Sequence, residues 1–358
     1  MRTIPVGNLV VGDGQPCFVI AEIGLNHNGD TELASRLIDV AVEAGANAVK
    51  FQKRTVDTLA IASVLDAPDA RFPAFGGTYR QIREHLEFDE AEYTSLARYC
   101  AERGILFFAT PFDEQAADFL ERLDPPAYKV ASHSVTNLPF LQHVAEFGRP
   151  VIMSSGMCTL DELDEAVAIF QGRRTPIALM HCVSAYPTPP EQSNLRMMDT
   201  LRERYMVPVG YSGHEIGDLP TLAAVARGAA LVERHVTADR TLVGFDHKLS
   251  LEPGELRRMI GAIRLIEQTI GAGDKAVSET EMVTRRKYHV SIVAAGDIPA
   301  GSVITERMLT LKNPGTGLPA RRMGEIVGRR AKTPIAADTL LDWEMLEPPA
   351  DGASVSAS

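Results

Sequence analysis

The chain has little cysteine and no paired cysteine motif. Its 358 residues include 4 cysteines, and no two of them form a CxxC pair. They are Cys17, Cys100, Cys158 and Cys182. Scattered single thiols exclude a disulfide scaffold and a zinc ribbon as the basis of the fold. We therefore expect a cytoplasmic protein, because its thiols suit a reducing compartment.

Long apolar runs are also missing. The N-terminal stretch, MRTIPVGNLVVGDGQPCFVIAE, has one early arginine but no continuous apolar segment of the kind found in secretory signals. No other stretch of the sequence is apolar for long enough to span a bilayer. The sequence therefore predicts neither a secretory leader nor a membrane span.

Positive charge is scarce relative to negative charge. Lysine and arginine total 36 against 47 aspartates and glutamates, which gives a formal net charge of −11. Such an acidic chain is a poor partner for nucleic acid or for an anionic membrane surface. An anionic small molecule remains a suitable substrate, because binding it requires only local positive charge.

A glycine-rich dinucleotide loop is absent as well. An open doubly wound sheet would carry a GxGxxG turn after its first strand, and none follows the first strand-like run. Instead, eight strand-like runs, most followed by a helix-like segment, lie between Cys17 and about Gly271. They are CFVIAEIG, AVKFQ, ILFFAT, AYKVAS, PVIMSS, IALMHCVSA, VPVGYS and LVERHV. This order predicts an α/β fold, the (β/α)₈ TIM barrel.

The composition changes toward the C-terminus, where short strands alternate with turns. The segments IPAGSVITERML and IAADTLLDWEML align without a gap, which predicts a small pseudo-symmetric module. We expect a barrel over residues 1–275, a linker over 276–290, the small domain over 291–347 and a disordered tail over 348–358.

Two histidines end neighbouring strand-like runs. His214 lies in VGYSGHEIG, and His235 ends LVERHV, where period-two geometry puts Glu233 and His235 on one face. In a barrel both would lie at the C-terminal mouth, where functional groups collect. They are either two packing residues or two ligands of a catalytic metal. In the second case the coordination shell is incomplete and leaves positions open to substrate. Manganese, magnesium, cobalt and iron all tolerate mixed nitrogen and oxygen ligands.

Two lysines interrupt apolar strand-like runs. Lys50 of AVKFQ shares a face with Gln52, and Lys129 of AYKVAS precedes Ser132. A lysine inside an apolar strand is costly unless it meets an anion or its head reaches solvent. Extension to solvent would explain either lysine alone. Two of them facing one mouth indicate a receptor for a small, multiply charged anion.

One carboxylate and several hydroxyls complete the predicted site. Glu22 shares a face with Ile20 and Gly24, so it either pairs with a lysine or takes part in catalysis. Hydroxyls at other strand ends would add neutral donors to a site for phosphate and carboxylate groups. They belong to Thr110, Ser154, Ser155, Ser184, Tyr186 and Ser212.

The order of these motifs resembles a known family. Bacterial sialic acid synthases, which make N-acetylneuraminate, legionaminate or pseudaminate, contain motifs similar to AEIGLNHNGD, AVKFQ, PAYKVAS, SSGM, HCVSAYPTPPE, GYSGHEIG, VERHVTADRT and DHKLSLEP. The C-terminal module resembles their SAF, or antifreeze-like, domain. The resemblance implies a metal-dependent condensation of phosphoenolpyruvate with an N-acyl amino-sugar aldehyde. The products would be phosphate and a nine-carbon nonulosonic acid.

The resemblance also implies individual roles. His214 and His235 would hold the divalent metal, which is often manganese in this family, with magnesium and cobalt as alternatives. The residues implied around phosphoenolpyruvate are Lys50, Thr110, Lys129, Ser132, Ser154, Ser184 and Ser212. Those implied along the acceptor sugar are Glu22, Gln52, Tyr186, Asp246 and, from the SAF domain, Asn313. The family forms a domain-swapped homodimer in which the SAF domain of one chain caps the barrel of the other.

Two departures from the family pattern concern the acceptor. Many relatives read GSGE after the strand lysine, whereas His133 and Ser134 replace the glycine and glutamate here. Asn313 replaces an arginine that reaches the acceptor's N-acyl group. Each lost charge-assisted contact is worth about 1.5–3 kcal/mol. N-acetylmannosamine is therefore only the leading acceptor, and a related hexose or a different aldehyde is the alternative.

Two other classes of function are open to the sequence. A barrel metallohydrolase commonly carries an HxH pair on its first strand, where this chain has Glu22, and it would leave both strand lysines unexplained. A non-catalytic protein could use the SAF-like module to bind a carbohydrate.

Overall fold

The computed structural model describes residues 1–348, which form two compact units. The first unit is Met1–Gly271, and the second begins at Ala272. Residues 349–358, which make up nearly all of the predicted tail, lie outside the described residues. Within residues 1–348, no helix is both long enough and apolar enough to cross a membrane.

The first unit is built on a parallel sheet of eight strands. A short hairpin of β1 (Thr3–Val6) and β2 (Leu9–Gly12) precedes it. The sheet strands are β3 (Phe18–Gly24), β4 (Ala48–Lys53), β5 (Leu106–Pro111), β6 (Tyr128–Val130), β7 (Val151–Ser154), β8 (Ile177–Cys182), β9 (Val209–Gly213) and β10 (Leu231–His235). They pair in the order β5-β4-β3-β10-β9-β8-β7-β6. Since β5 and β6 also lie side by side, the sheet forms a nearly closed barrel. All eight strand-like runs are confirmed.

Helices surround the barrel and connect its strands. They are α1 (Thr31–Ala44), α2 (Ala62–Leu65), α3 (Tyr79–Leu86), α4 (Glu90–Arg103), α5 (Glu114–Glu121), α6 (Leu138–Glu146), α7 (Leu160–Gly172), α8 (Met197–Tyr205), α9 (Leu219–Ala226) and α10 (Pro253–Ile270). Reciprocal capping boxes fix the starts of α4, at Asp89 and Glu92, and of α7, at Thr159 and Glu162. The predicted TIM barrel is confirmed.

The barrel interior is apolar at the end where the strands begin. Ile20, Phe108, Ile152 and Leu231 are fully buried there. The hairpin β1–β2 packs Ile4, Val6 and Val11 against them, so it closes this end of the barrel. The hairpin was not part of the sequence prediction.

The opposite end of the barrel carries a long connection between β4 and α4. It contains α2 and α3, and a small apolar cluster anchors it. In this cluster Ile82 and Leu86 of α3 pack with Leu25, which follows β3, and with Phe245, which follows β10. The connection therefore places α3 beside the mouth of the barrel.

The second unit contains α11 (Glu279–Tyr288), β11 (Ser291–Ala294), β12 (Leu309–Lys312) and α12 (Met323–Ile326). The repeated segments meet symmetrically, because Ile298 and Ile335 exchange backbone hydrogen bonds of 2.8 and 2.9 Å. Each segment continues into a 3₁₀ turn at the same offset, Glu306–Met308 and Trp343–Met345. The predicted linker over 276–290 is occupied mostly by α11, which has no buried residue.

Candidate active site

A cavity of about 230 Å³ opens at the C-terminal end of the barrel strands. The predicted site residues that line it are Glu22, Lys50, Gln52, Thr110, Lys129, Ser132, Ser154, Ser184, Tyr186, Ser212, His214, His235 and Asp246. Ser155 does not line it, and its hydroxyl donates to the carbonyl oxygen of Met180 at 3.1 Å. Asn313 belongs to the second unit, where it is exposed just after β12. Strand alternation places Glu22, Lys50, Gln52 and His235 on inward faces, whereas Asp246 is implied by the resemblance alone.

Lys50 is the centre of a hydrogen-bonded chain along the first strands. Its Nζ lies 2.8 Å from Glu22 Oε2 and donates to Thr110 Oγ1 at 2.7 Å. Gln52 Nε2 donates to the other oxygen of Glu22 at 2.7 Å. Lys50 is 3% exposed and Glu22 is 1% exposed, so both charges are held away from solvent. The predicted pairing of Glu22 with a lysine is therefore present.

Lys129 lies on the other side of the cavity and shares a carboxylate with Lys50. Its Nζ donates to Ser154 Oγ at 2.6 Å and lies 3.8 Å from Glu233 Oε1. Lys50 Nζ lies 4.0 Å from the second oxygen of Glu233. Glu233 thus lies between the two ammonium groups. Since Lys129 is 2% exposed, neither lysine extends to solvent.

Burial and neighbouring charge shift the pKa values of these groups in different directions. Burial raises the pKa of Glu22 to about 7. Burial also acts to raise the pKa of Glu233, but the nearby Lys129 and Lys50 ammonium groups hold it below its ordinary value. Burial lowers the pKa of Lys129. The two carboxylates therefore differ: Glu233 stays ionised as the counter-charge of the lysines, whereas Glu22 titrates near neutral pH.

The two predicted imidazoles lie together at the mouth. The ring centroids of His214 and His235 are 5.5 Å apart, and the Tyr186 ring lies 4.1 Å from that of His214. His214 Nδ1 is 2.9 Å from the carbonyl oxygen of Val183. Because a carbonyl only accepts, this hydrogen bond requires a proton on Nδ1 and leaves the Nε2 lone pair free.

His235 has the features of a ligand without a partner. Its Nδ1 is buried and has no hydrogen-bond partner, and Asp246 Oδ2 lies 3.8 Å away. Burial lowers the pKa of His235, which favours the neutral form that binds metals. These donors fit a divalent metal. Within residues 1–348, no group of three or more His, Cys, Asp or Glu side chains is arranged to hold a metal ion. The protein would therefore provide only part of the metal's coordination shell.

A buried ion pair lies on the outer side of the two strands that carry the histidines. Arg234, which precedes His235, donates to Glu215 Oε1 at 2.9 Å and to the Glu215 carbonyl at 2.8 Å. Glu215 follows His214 and also accepts from Tyr211 Oη at 3.0 Å. Gly213 is required beside it, because a Cβ there would clash with the Glu215 carboxylate. The pair ties together the backbone next to both imidazoles.

The turn after β7 makes a second close approach. The backbone N–H of Gly156 donates to Ser132 Oγ at 3.0 Å. A Cβ at Gly156 would lie 2.8 Å from that oxygen and 2.6 Å from Ser184 Oγ. The glycine of the SSGM motif therefore lets the turn reach these two predicted hydroxyls.

The cavity also contains residues absent from the predicted list. They are Leu25, Arg54, Arg83, Phe112, Ala131, His133, Met157, Cys182, Glu233 and Phe245. Arg54 continues the alternation of Lys50 and Gln52 along one chain segment, so the same rule would have found it. Of the two barrel residues that depart from the family pattern, His133 lines the cavity and stacks on Phe112 at 4.7 Å. Ser134 is buried and does not line it.

Comparison with known proteins identifies the family. Residues 37–275 match the model of the NeuB family. The chain belongs to the NeuB family. Residues 289–347 match the SAF domain, so the predicted resemblance and the barrel followed by an SAF domain are both confirmed.

Individual NeuB-family relatives cover almost all of the chain. It is 39% identical to the N-acetylneuraminate-9-phosphate synthase of Homo sapiens over 94% of each chain. It is 38% identical to the N,N'-diacetyllegionaminic acid synthase of Legionella pneumophila, over 94% of this chain and 96% of that one. The crystal structure of N-acetylneuraminic acid synthetase from Leptospira borgpetersenii, solved with citrate, has 36% identity and a TM-score of 0.70. The match covers 79% of this chain and 95% of the Leptospira chain.

Proposed function

We propose that the protein is a transferase that condenses phosphoenolpyruvate with an N-acyl amino-sugar aldehyde. The products are phosphate and a nonulosonic, or sialic-type, acid. One observation carries this proposal: two buried lysines with hydroxyl partners face the same cavity as a pair of imidazoles. The names of the relatives, which are synthases of N-acetylneuraminate 9-phosphate and diacetyllegionaminic acid, support the same reaction type.

The lysine side of the cavity suits phosphoenolpyruvate. Lys50 and Lys129 provide ammonium donors, and the hydroxyls of Thr110 and Ser154 are already oriented by them. The carboxylate and phosphate of phosphoenolpyruvate lie on one carbon, so two cations converging on one cavity match both groups. The main contribution of these contacts is to hold carbon 3 toward the aldehyde.

The imidazole side suits the reacting aldehyde. We assign a divalent metal, manganese first and magnesium or cobalt as alternatives, to His214 and His235. When bound, it would supply Lewis acidity to the aldehyde oxygen. Tyr186 and Asp246 border the same side, and Glu22 and Gln52 connect it to the lysines.

In the reaction, one carbon–carbon and one carbon–oxygen single bond form, and the carbon–oxygen bond to phosphate breaks. Carbon 3 of phosphoenolpyruvate attacks the aldehyde carbon, and the aldehyde oxygen takes a proton and becomes a hydroxyl. Carbon 2 then has cationic character and accepts water, which loses a proton. In the tetrahedral intermediate the carbon–oxygen bond to phosphate then breaks, and the carbon 2 hydroxyl loses its proton to the departing phosphate and becomes the carbonyl of the 2-keto acid. Glu22 is placed to stabilise the cationic carbon or to accept the proton from water.

The acceptor side of the site departs from the family pattern. We infer N-acetylmannosamine or a related hexose as the acceptor class, and a different aldehyde as the alternative. His133 lines the cavity where many relatives carry a glycine, so the acceptor surface is not that of a typical sialic acid synthase.

Phosphate release tests the proposal directly. With a divalent metal, we expect the protein to release phosphate from phosphoenolpyruvate only when an acceptor aldehyde is present. His214→Ala and His235→Ala should each abolish release without unfolding the protein, as judged by circular dichroism. His143→Ala is the matched control, because His143 lies outside the cavity and pairs with Asp118. Full turnover in both site variants, or release without an aldehyde, would reject the proposed reaction.

We also propose the assembly and location that the family resemblance implies. The protein would form a homodimer in which the SAF domain of one chain caps the barrel of the other. Light scattering should therefore give twice the mass of one chain, and a monomeric mass in the active fraction would contradict it. A cytoplasmic location is supported by the four cysteines, which are unpaired in the described residues.

A further inference from the structure

Two arginines line the cavity without a role in the proposed reaction. Arg54 follows β4, and its side chain lies beyond Lys50 and Gln52 on the same segment. Arg83 lies on α3, the helix that the long connection brings to the barrel mouth. Along this segment Arg54 stands away from Lys50, because the two residues are separated by roughly 13 Å of extended chain.

Arg54 is buried, and its one anionic neighbour within the described residues lies at the long end of ion-pair distance. It is 7% exposed, its guanidinium stacks on the Phe112 ring at 3.7 Å, and its Nη2 donates to Gln52 Oε1. Its Nη1 has no hydrogen-bond partner, and the carboxylate of Glu87 lies 3.8 Å away. Glu87 is engaged elsewhere, because Lys53 Nζ contacts it at 3.2 Å. One carboxylate is therefore shared by Lys53 and Arg54, and it cannot neutralise both of them and Arg83.

Arg83 is held by aromatic rings alone. Its guanidinium lies 4.5 Å from the Phe245 ring centre and 5.0 Å from that of Tyr79. Its Nε and Nη1 are buried and have no hydrogen-bond partner. Among the residues that the structure describes, no carboxylate forms a salt bridge with it. Aromatic contacts thus fix the position of a cation whose donors remain unused.

The two guanidinium groups act on each other. Burial and then the positive charge of Arg83 lower the pKa of Arg54 to about 10. Two like charges with unsatisfied donors in a buried place are costly unless an anion binds between them. Guanidinium groups bind phosphate oxygens through paired N–H donors, and two uncompensated positive charges match a dianion better than a monoanionic carboxylate.

We propose that Arg54 and Arg83 bind a phosphomonoester carried by the acceptor sugar, at the end remote from its aldehyde. This inference rests on the proposed condensation reaction and specifies its substrate class. The acceptor is favoured over phosphoenolpyruvate as the source of the phosphate because Gln52 and Glu22 lie between Arg54 and Lys50 in one chain of contacts.

The test compares matched acceptors in the full-length protein. With saturating phosphoenolpyruvate and metal, keto-acid formation is measured with N-acetylmannosamine and with its 6-phosphate. We expect kcat/KM to be at least about 10-fold higher for the phosphorylated acceptor, which is the lower limit for one charge-assisted hydrogen bond. Arg54→Gln and Arg83→Gln should each reduce that ratio toward one and leave the KM for phosphoenolpyruvate nearly unchanged.

Arg71→Gln is the matched control. Arg71 lies near the same two rings, Tyr79 and Phe245, but it is paired with Asp69 at 2.6 Å and does not line the cavity. The control should keep the wild-type ratio. In addition, an alditol 6-phosphate, which lacks the aldehyde, should inhibit competitively with the acceptor, and each site variant should weaken that inhibition about 10-fold.

The possible failures are distinguishable. If no aldehyde gives product, the proposed function is wrong and this inference falls with it. Turnover without preference for the phosphate, or a stronger preference for a uronic acid acceptor, overturns the inference alone. A preference that both variants retain would place the phosphate elsewhere. A raised KM for phosphoenolpyruvate with an unchanged acceptor ratio would assign the arginines to phosphoenolpyruvate instead.

Discussion

The two ends of the barrel interior have opposite chemistry although the same strands form both. At the closed end the inward side chains include Ile20, Phe108 and Ile152, which pack with the hairpin β1–β2. At the open end, two residues further along the same strands, stand Glu22, Thr110 and Ser154. The change from apolar to polar thus occurs within a single step of the strand alternation.

This contrast separates stability from function in the barrel. Apolar burial at the closed end contributes to the folding free energy in proportion to the area removed from water. The charges at the open end are paired, but buried ion pairs contribute little net stability because desolvation offsets their attraction. We therefore expect substitutions at the closed end to change stability and substitutions inside the mouth to change catalysis.

The largest effect should come from breaking the ion pair behind the histidines. Glu215→Gln keeps the shape of the side chain but leaves Arg234 buried and unpaired, which should cost about 3–5 kcal/mol of unfolding free energy. Urea denaturation measures it. Asp164→Asn, in an exposed pair with Arg204, is the control and should cost less than about 1 kcal/mol. A loss below 1 kcal/mol for Glu215→Gln would show that the pair does not hold the strands.

A cavity at the closed end should affect stability alone. Leu231 is fully buried four residues before His235. Leu231→Ala should lower the unfolding free energy by about 3 kcal/mol. The kcat/KM of the folded protein should stay within about threefold of wild type, since a threefold change is only about 0.6 kcal/mol. If Leu231→Ala lowered turnover in proportion to its loss of stability, the closed end would contribute to catalysis as well as to stability.

A charge removed inside the mouth should affect turnover. Lys129→Met deletes the donor to Ser154 and one of the two ammonium groups proposed for phosphoenolpyruvate. We expect kcat/KM for phosphoenolpyruvate to fall by about 100-fold, which corresponds to one charge-assisted hydrogen bond. Lys275→Met, at an exposed position, should leave it unchanged. Steady-state phosphate release measures kcat/KM for the two variants. Equal activities of Lys129→Met and Lys275→Met would show that Lys129 is not part of the site.

The smallest effect concerns acid stability at the open end. His27 is buried, stacks on Phe88 at 4.2 Å, and accepts from the backbone N–H of Gly29 through Nδ1. Burial lowers its pKa from 6.5 to about 3, so the unfolded state binds the extra proton first. Stability should therefore be present above pH 6.5 and decline as the pH falls, by about 2.5 kcal/mol at pH 4.5.

His27→Asn should remove this pH dependence, because an amide does not titrate. The difference between the wild-type and variant unfolding free energies is measured from pH 7 to pH 4.5, so that other titrating groups cancel. A constant difference over this range would mean that the pKa of His27 is the same in the folded and unfolded states.

The sequence allowed the barrel and most of its site to be predicted because both depend on local periodicity. Apolar runs of strand length gave all eight strands, and a step of two residues placed Lys50 with Gln52 and Glu233 with His235. The same step extended once more reaches Arg54. The hairpin β1–β2 also had a local signal, the Gly7–Asn8 turn between alternating apolar residues.

Other parts of the site depend on contacts between distant segments. Arg83 comes from a connection with no strand or barrel periodicity, and only the packing of Ile82 and Phe245 shows that α3 reaches the mouth. The Glu215–Arg234 pair joins a residue just after β9 to the outer face of β10, where an alternation argument predicts apolar packing. Such positions require the fold before they can be assigned.

The path of one oxygen atom tests the central proposal most directly. In the proposed reaction, water adds to carbon 2 of phosphoenolpyruvate and the carbon–oxygen bond to phosphate breaks. Phosphoenolpyruvate labelled with ¹⁸O at the bridging position should therefore transfer the label to inorganic phosphate, and only in the presence of an acceptor aldehyde. Mass spectrometry that finds the label in the keto acid, or labelled phosphate without any acceptor, would contradict the account.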